Sequence, residues 1–438
     1  MSTSRVSTEE LASRARNGQS QVVDIRSIDA YNGWPVGGAP RGGHVPGARS
    51  LPAKWLKYLD WPDIVTAKSL DKARGVILYG DSEDQLDRTV ERFVRAGLPK
   101  PQIYPDFSAR WCAEPDLPLE SLPRYRQLVG ADWLKQLLTT GSAPEYDNDR
   151  FVLCHGHYRN PGDYVEGHIP GAIQVDSNWL ESPETWNRRS PDELGQTLER
   201  LGITSDTTAV FYGRFSFPDY DDPYPGSSAG HLGSIRCAMI MLYAGVRDVR
   251  ILNGGLQSWL DAGYETTTEA AVPEPIDSFG AEIPARPDVF VDTPEAKQIL
   301  ADPEANLVSV RSWREYIGQV SGYHYIQKKG RIPGAVFGNC GSDAYHMENY
   351  RNVDHTTREY PEIRRLWAEA GITPDKRNAF YCGTGWRASE AFLNAWLMDW
   401  PDIAIYDGGW FEWSSDGTNP TEGGEPATPQ PLASDAGR

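Results

Sequence analysis

Gly43-His44-Val45-Pro46-Gly47-Ala48 is written again as Gly167-His168-Ile169-Pro170-Gly171-Ala172, and a third time as Gly330-Arg331-Ile332-Pro333-Gly334-Ala335. A turn motif that recurs at intervals far above a solenoid period marks whole domains repeated in tandem. An apolar, strand-like run precedes each copy: Val22-Val23-Asp24-Ile25-Arg26, Phe151-Val152-Leu153, and Leu307-Val308-Ser309-Val310-Arg311. A second such run, ending in an aromatic residue, follows each copy: Val76-Ile77-Leu78-Tyr79, Ala209-Val210-Phe211-Tyr212, and Ala379-Phe380-Tyr381. A helical pattern, a third short strand and a Trp-bearing segment around Trp111, Trp259 or Trp413 close each unit. Short apolar strands alternating with helices predict an α/β module with a mainly parallel sheet flanked by helices. The fold class is therefore α/β, in three tandem domains expected at 1–120, 121–275 and 285–420. The boundaries fall near 115–123 and in the Pro-rich stretch 272–287. From about Ser414 the composition turns to Gly, Pro, Thr, Ser and acid, which predicts disorder and leaves 421–438 as a tail.

The chain has 438 residues and a net charge of −18. That balance argues against a general nucleic-acid or anionic-membrane surface, so an anionic substrate needs a local pocket of positive potential. No run of ~18 apolar residues exists, and no transmembrane helix is expected. Met1-Ser2-Thr3-Ser4-Arg5 lacks an apolar signal core, which predicts a cytoplasmic chain, or a periplasmic one whose leader has been removed. The five cysteines, 112, 154, 237, 340 and 382, form no CxxC pair and no metal-ligand spacing, so no metal site is expected.

One cysteine stands apart. Cys382-Gly383-Thr384-Gly385-Trp386-Arg387 follows the strand-like run of the third unit and precedes a helical pattern over 388–398. Two glycines let such a loop curl so that backbone N–H groups converge. The helix N-terminus adds its unpaired N–H groups and dipole, and Arg387 adds a fixed charge on the same rim. All three favour the thiolate of Cys382 as a nucleophile and make a cradle for a small anion. Gly383 and Gly385 serve the backbone geometry. Thr384 either offers a hydroxyl to substrate or caps the helix. Trp386 either walls the pocket or packs on a neighbouring domain, and Arg387 is expected as an anion contact. In the first two units Gly80 and Gly213 stand where Cys382 stands, so those domains are expected to be inactive, and one or both of them to cover the third domain's loop and shape its pocket. Cys154 and Cys237 read as core residues, Cys112 as structural, and Cys340 as a core thiol or a second redox thiol.

These motifs resemble the rhodanese superfamily of sulfurtransferases, and the resemblance covers nearly the whole chain. It implies a double displacement in which Cys382 takes the outer sulfur of a small anionic donor, carries it as a persulfide and passes it to an acceptor. Thiosulfate and 3-mercaptopyruvate are the donors it implies, and the choice between them stays open. The acceptor is thiophilic: cyanide, a thiol, or thioredoxin. No metal or organic cofactor is required by that scheme. The resemblance also carries Arg314 over as a carboxylate contact. Arg311 is matched by Arg26 in a domain without a nucleophile, which points to a structural role. Two other readings remain. A sulfur-carrier or docking protein would not explain the intact loop. A phosphatase or arsenate reductase would use C-x5-R, whereas four residues separate Cys382 from Arg387.

Overall fold

The structure, a computed structural model, describes residues 3–71, 74–215 and 230–426. Among the described residues there are three sheets, and every strand pairing within them is parallel. In the first domain β1 (Ser20–Asp24), β2 (Arg49–Ser50), β3 (Gly75–Tyr79) and β4 (Gln102–Tyr104) lie in the order β2-β1-β3-β4. In the second, β5 (Leu128–Val129), β6 (Phe151–His157), β7 (Ile173–Asp176), β8 (Thr208–Tyr212) and β9 (Asp248–Leu252) take the order β5-β9-β8-β6-β7. In the third, β10 (Phe290–Val291), β11 (Ala305–Ser309), β12 (Val336–Phe337), β13 (Arg377–Tyr381) and β14 (Ile403–Tyr406) repeat that pattern as β10-β14-β13-β11-β12. The central strands are the apolar runs of the sequence and are buried on both faces, as parallel strands under helices must be. The two-residue strands β2 and β12, and the four-residue β7, follow the repeated turn motif directly. They were not expected from the sequence. No helix among the described residues is long and apolar enough to cross a membrane.

The repeated motif is a structural corner in all three domains. Tyr31, Tyr164 and Tyr316 each donate a hydroxyl to the carbonyl of the motif's last residue, Ala48, Ala172 or Ala335, at 2.7–2.8 Å. The ring of His44 stacks on Tyr31 and that of His168 on Tyr164, both at 3.6 Å between centroids. In the third domain the guanidinium of Arg331 takes that place, 4.8 Å from the Tyr316 ring. The same three residues, His44, His168 and Arg331, form antiparallel bridges with Glu120, Thr267 and Glu422 of the segments that end each domain. This is why the closing segment differs from the disorder expected from Ser414 onward. Trp413 is buried, Glu422 pairs with Arg331 at 2.6 Å, and the N–H of Gly424 reaches the carbonyl of Ile317. Residues 427–438 of the expected tail lie outside the described residues, as do residues 216–229 of the insertion in the second domain.

The compact unit spanning 126–438 contains the second and third domains. Within it the helix Gly230–Ala244 packs against the helix Trp386–Leu397. Nearly every residue of both helices is buried, so neither shows the polar outer face of a surface helix.

Candidate active site

Cys382 follows the last residue of β13 and is fully buried. Its carbonyl and that of Gly383 accept the N–H groups of Trp410 and Phe411, at 2.8 and 2.9 Å. These donors belong to the helix Gly409–Ser415, which starts at the Gly408-Gly409 turn. Gly409 has φ +56°, and a Cβ there would lie 2.7 Å from the Gly383 carbonyl oxygen, so only glycine lets the helix approach this closely. With the carbonyls tied back, the N–H groups of Gly383, Thr384 and Gly385 donate to no backbone group among the described residues. They are available to a negative charge on Cys382 or on a sulfur bound to it. Gly385, at φ +89°, turns the loop into the helix Trp386–Leu397. That helix has no side-chain cap, so Thr384 is not a cap.

Arg387 departs from its expected place on the rim. It is fully buried, and its two terminal nitrogens grip both oxygens of Glu315, at 2.8 and 2.9 Å. It also donates to the Tyr323 hydroxyl at 3.0 Å and to the Asp343 carbonyl at 3.2 Å. A planar fork beside a buried carboxylate forms a bidentate pair, and that geometry consumes the charge that the sequence reading assigned to substrate. Arg387 is therefore described as a brace. Sequence reasoning missed Glu315, although Ser312-Trp313-Arg314-Glu315 carries its signal as a capping box, with both reciprocal bonds formed. Arg311 donates to the Gly330 carbonyl at 2.8 Å, as Arg26 does to that of Gly43 at 2.6 Å. The parallel supports a structural role for Arg311.

Tyr323 and Tyr325 wall the loop, and sequence reasoning found neither. No motif marks them, because they lie in the irregular segment between the helix Trp313–Tyr316 and the turn motif. Their rings are 5.2 Å apart. Tyr325 stacks on Trp186 of the second domain at 5.3 Å. Burial pushes the Tyr323 hydroxyl well above its ordinary range, with Arg387 opposing and Cys382 adding to the shift. Trp386 lies against the second domain, with its indole edge-on to Tyr158 and Trp186.

Arg314 does not meet the loop cysteine directly. It is exposed and lines a cavity of about 360 Å³ with Glu315, Gly322, Ser342, Asp343 and Tyr345, among others. Tyr323 joins the two places. One edge of its ring covers Gly383, and its centroid is 6.4 Å from that of Tyr345 on the cavity wall. Gly383→Ala tests that arrangement, since a Cβ would lie 2.3 Å from the ring carbon Cε2 of Tyr323. The ring is held by the bond from Arg387 to its hydroxyl. A kcat lower by about 10²-fold is expected, a cost typical of a displaced reacting group. Steady-state kinetics on the variant, with its melting temperature as control, reads this out. A loss of less than about 2-fold would mean that the loop tolerates the shift.

The other thiols are buried, and Cys340 is the nearest to the site by its contacts. Its Sγ–H donates to the Val310 carbonyl at 3.2 Å, and Arg387 stands 3.8 Å from the sulfur. Burial pushes this thiol up to about 12. In the first two domains the position of Cys382 could not hold a side chain without movement. A Cβ on Gly80 would lie 2.8 Å from Ile25, and one on Gly213 would lie 2.4 Å from the Gly230 carbonyl oxygen.

The rhodanese-like domain family matches residues 7–114, 132–262 and 292–416. The chain is 39% identical over 411 residues to the thiosulfate sulfurtransferase YnjE of Escherichia coli K12, covering 92% of this chain and 89% of that protein. It is 30% identical to the sulfur carrier protein TtuD of Thermus thermophilus, over 66% of this chain and 93% of the relative. Among solved structures, it is similar to the anaerobic ergothioneine biosynthesis enzyme of Chlorobium limicola in complex with its natural substrate trimethyl histidine. There the TM-score is 0.95 and the identity 52%, covering 97% of this chain and 100% of that one. A structure of EanB with a cysteine persulfide, in a tetrahedral intermediate state with ergothioneine, is similar at TM-score 0.95 and 52% identity, over 97% and 100% of the chains.

Proposed function

Since this chain belongs to the rhodanese-like family of sulfurtransferases and sulfur carriers, we propose that it moves sulfane sulfur through a Cys382 persulfide to the imidazole ring of trimethyl histidine, forming ergothioneine. One observation carries the choice of acceptor. The loop's own arginine is neutralised by Glu315, Cys382 is buried, and the Tyr323 ring covers the neighbouring Gly383, so the loop faces an aromatic wall rather than an open basic pocket. A small dianion gains little there. A flat heteroaromatic ring stacks well on tyrosine, and a quaternary ammonium group is attracted to aromatic faces. Arg314, on the cavity beside Tyr323, forms no ion pair among the described residues and supplies a charge for the substrate carboxylate. The likeness to a solved enzyme that takes this substrate supports the same reading.

In the first half-reaction the Cys382 thiolate attacks the outer sulfur of a donor, and the remainder departs with the electron pair of the broken bond. Thiosulfate would release sulfite, and 3-mercaptopyruvate would release pyruvate. In the second, the terminal sulfur bonds to C2 of the imidazole. The adduct then loses the C2 proton while the S–S bond breaks, and its electrons leave on the Cys382 sulfur. The ring carbon is oxidised by two electrons and the sulfane sulfur is reduced by two, so no external oxidant is needed. The free N–H groups of Gly383 to Gly385 stabilise the sulfur anion at both ends of this cycle.

The test is to incubate the full chain with trimethyl histidine and, in turn, thiosulfate, 3-mercaptopyruvate or inorganic polysulfide. Mass spectrometry of the small molecules is expected to show trimethyl histidine gaining ~32 Da, the mass of one sulfur, in repeated turnover. A chain that loads Cys382 and yields its sulfur to cyanide or a thiol, leaving trimethyl histidine unchanged, would overturn the acceptor and return the reading to thiol-directed sulfur transfer.

A further inference from the structure

The second domain has no nucleophile, yet it reaches into the loop of the third. Trp386, four residues after Cys382, donates its indole N–H to both oxygens of Glu181 in the second domain, at 2.8 and 3.1 Å. Glu181 is fully buried and is held in turn by Arg236, whose Nε lies 3.1 Å from Oε2. Arg236 sits on the helix Gly230–Ala244, also fully buried. It donates to the Trp186 carbonyl at 3.0 Å and pairs with Asp407, which directly precedes the Gly408-Gly409 turn. Arg188, also of the second domain, donates to the other Asp407 oxygen from its backbone, at 2.9 Å, and from its side chain, at 2.7 Å.

The remaining nitrogen of Arg236 lies under the loop itself. A Cβ on Gly385 would be 3.1 Å from that Nη1, which has no hydrogen-bond partner. Gly233, one turn earlier on the same helix, lets the Trp386 ring come within 3.2 Å of where a Cβ would stand. The loop is thus gripped at both ends: Trp386 on its helical side, and Asp407 beside the turn whose N–H groups tie back the Cys382 and Gly383 carbonyls. Burial pushes Glu181 up to about 7, with Arg236 and the Trp386 N–H holding it down. Its two oxygens are therefore committed to these partners at considerable desolvation cost. Such a buried polar network gives little net stability but fixes one geometry.

We propose that Glu181 and Arg236 are positioning residues for sulfur transfer, so that the second domain is a working part of the third domain's active site. The inference rests on Cys382 as the sulfur-bearing residue and is independent of which acceptor takes the sulfur. It also gives a physical reason for the second domain to keep its fold without its own cysteine. The domain's task in this chain's geometry is to hold the Cys382 loop at the angle where its N–H groups meet the sulfur.

A double-mutant cycle tests this with Glu181→Leu and Trp386→Phe, read as the rate at which Cys382 gains sulfur from inorganic polysulfide by intact-protein mass spectrometry. That readout needs no acceptor, so its failure is separable from failure of the trimethyl histidine reading. Each single variant is expected to load about 10-fold more slowly, as a displaced reacting group does. The double variant is expected to be no slower than the worse single one, because both remove the same hydrogen bond. Glu181→Gln keeps an acceptor oxygen for the indole and is expected to load within about 3-fold of the parent. In steady state the loss should fall on kcat and leave KM unchanged. Trp386→Phe leaves the ion network whole, so it decides the matter alone if Glu181→Leu does not fold. Multiplying effects in the double variant, or folded single variants that load at the parental rate, would overturn the proposal.

Discussion

Cys382→Ser is expected to lower sulfur transfer to background, a loss of at least ~10³-fold, because the reaction has no second route through another thiol. The remaining cysteines each fail for a stated physical reason. Cys154 and Cys237 lie in the core of the second domain, and burial drives both thiols far up. Cys112 is likewise raised by burial, in a domain whose loop carries Asp81 bound to Ser108 instead of a nucleophile. Cys340 touches the Arg387 brace, but at about 12 its thiolate fraction near neutral pH is negligible. The complementary protein, with all four of these cysteines replaced by Ala or Ser and Cys382 kept, should retain its rate within about 3-fold, provided it folds. Intact-protein mass spectrometry after polysulfide treatment checks both arms. A gain of ~32 Da, one sulfur, is expected on the parent and on the Cys382-only chain and is absent from Cys382→Ser. Sulfur found on Cys382→Ser would make Cys340 the first candidate for a second carrier.

The loop and the repeat were legible in the sequence for the same reason: each is contiguous. Strands β1, β3, β6, β8, β11 and β13 are apolar runs, and the copies of the Gly-x-x-Pro-Gly-Ala turn fix their phase. The short strands were not legible, since two residues such as Leu128–Val129 or Phe290–Val291 carry no periodicity to read. They are strands only because β9 and β14 offer an edge to pair with. The loop's environment was invisible for a different reason. Arg387 and Glu315 are 72 positions apart, and Trp386 and Glu181 are 205 apart. A lone arginine beside a cysteine loop reads as an anion contact before it reads as one half of an ion pair. What decides is a carboxylate delivered by another element, and only the capping pattern at Ser312 hinted at that element. The described stretch 414–426 departs from the disorder its composition predicts, because composition could not show that Arg331, replacing the motif's histidine, would pair with Glu422.

Glu315→Gln should have the largest effect on stability, and the effect should depend on pH in a definite direction. Burial alone would raise the pKa of this carboxyl, but Arg387 and Arg311 overcome it and carry it from an ordinary 4.5 down to about 2. A carboxylate whose pKa is lower in the folded chain contributes stability that is fully present above its unfolded value. That contribution is lost as pH falls from about 4.5 through about 2. A depression of this size corresponds to about 3 kcal/mol at neutral pH. Removing the charge leaves two buried guanidinium groups without their shared partner, which ordinarily costs about 3–5 kcal/mol. Urea unfolding at pH 7 is therefore expected to show Glu315→Gln weaker by about 3 kcal/mol. The gap should narrow as the pH is lowered toward 3, because below about 4.5 the unfolded parent takes up a proton on Glu315 that the folded chain binds only near 2, and the variant has none to gain. The loop should feel the change as well. Once Arg387 loses its charged fork partner it is free to shift, and Tyr323 loses the fixed donor that pins its hydroxyl. A variant within about 1 kcal/mol of the parent at pH 7, the size of an exposed pair, would mean that Arg387 finds another partner and that the brace is not what holds this site.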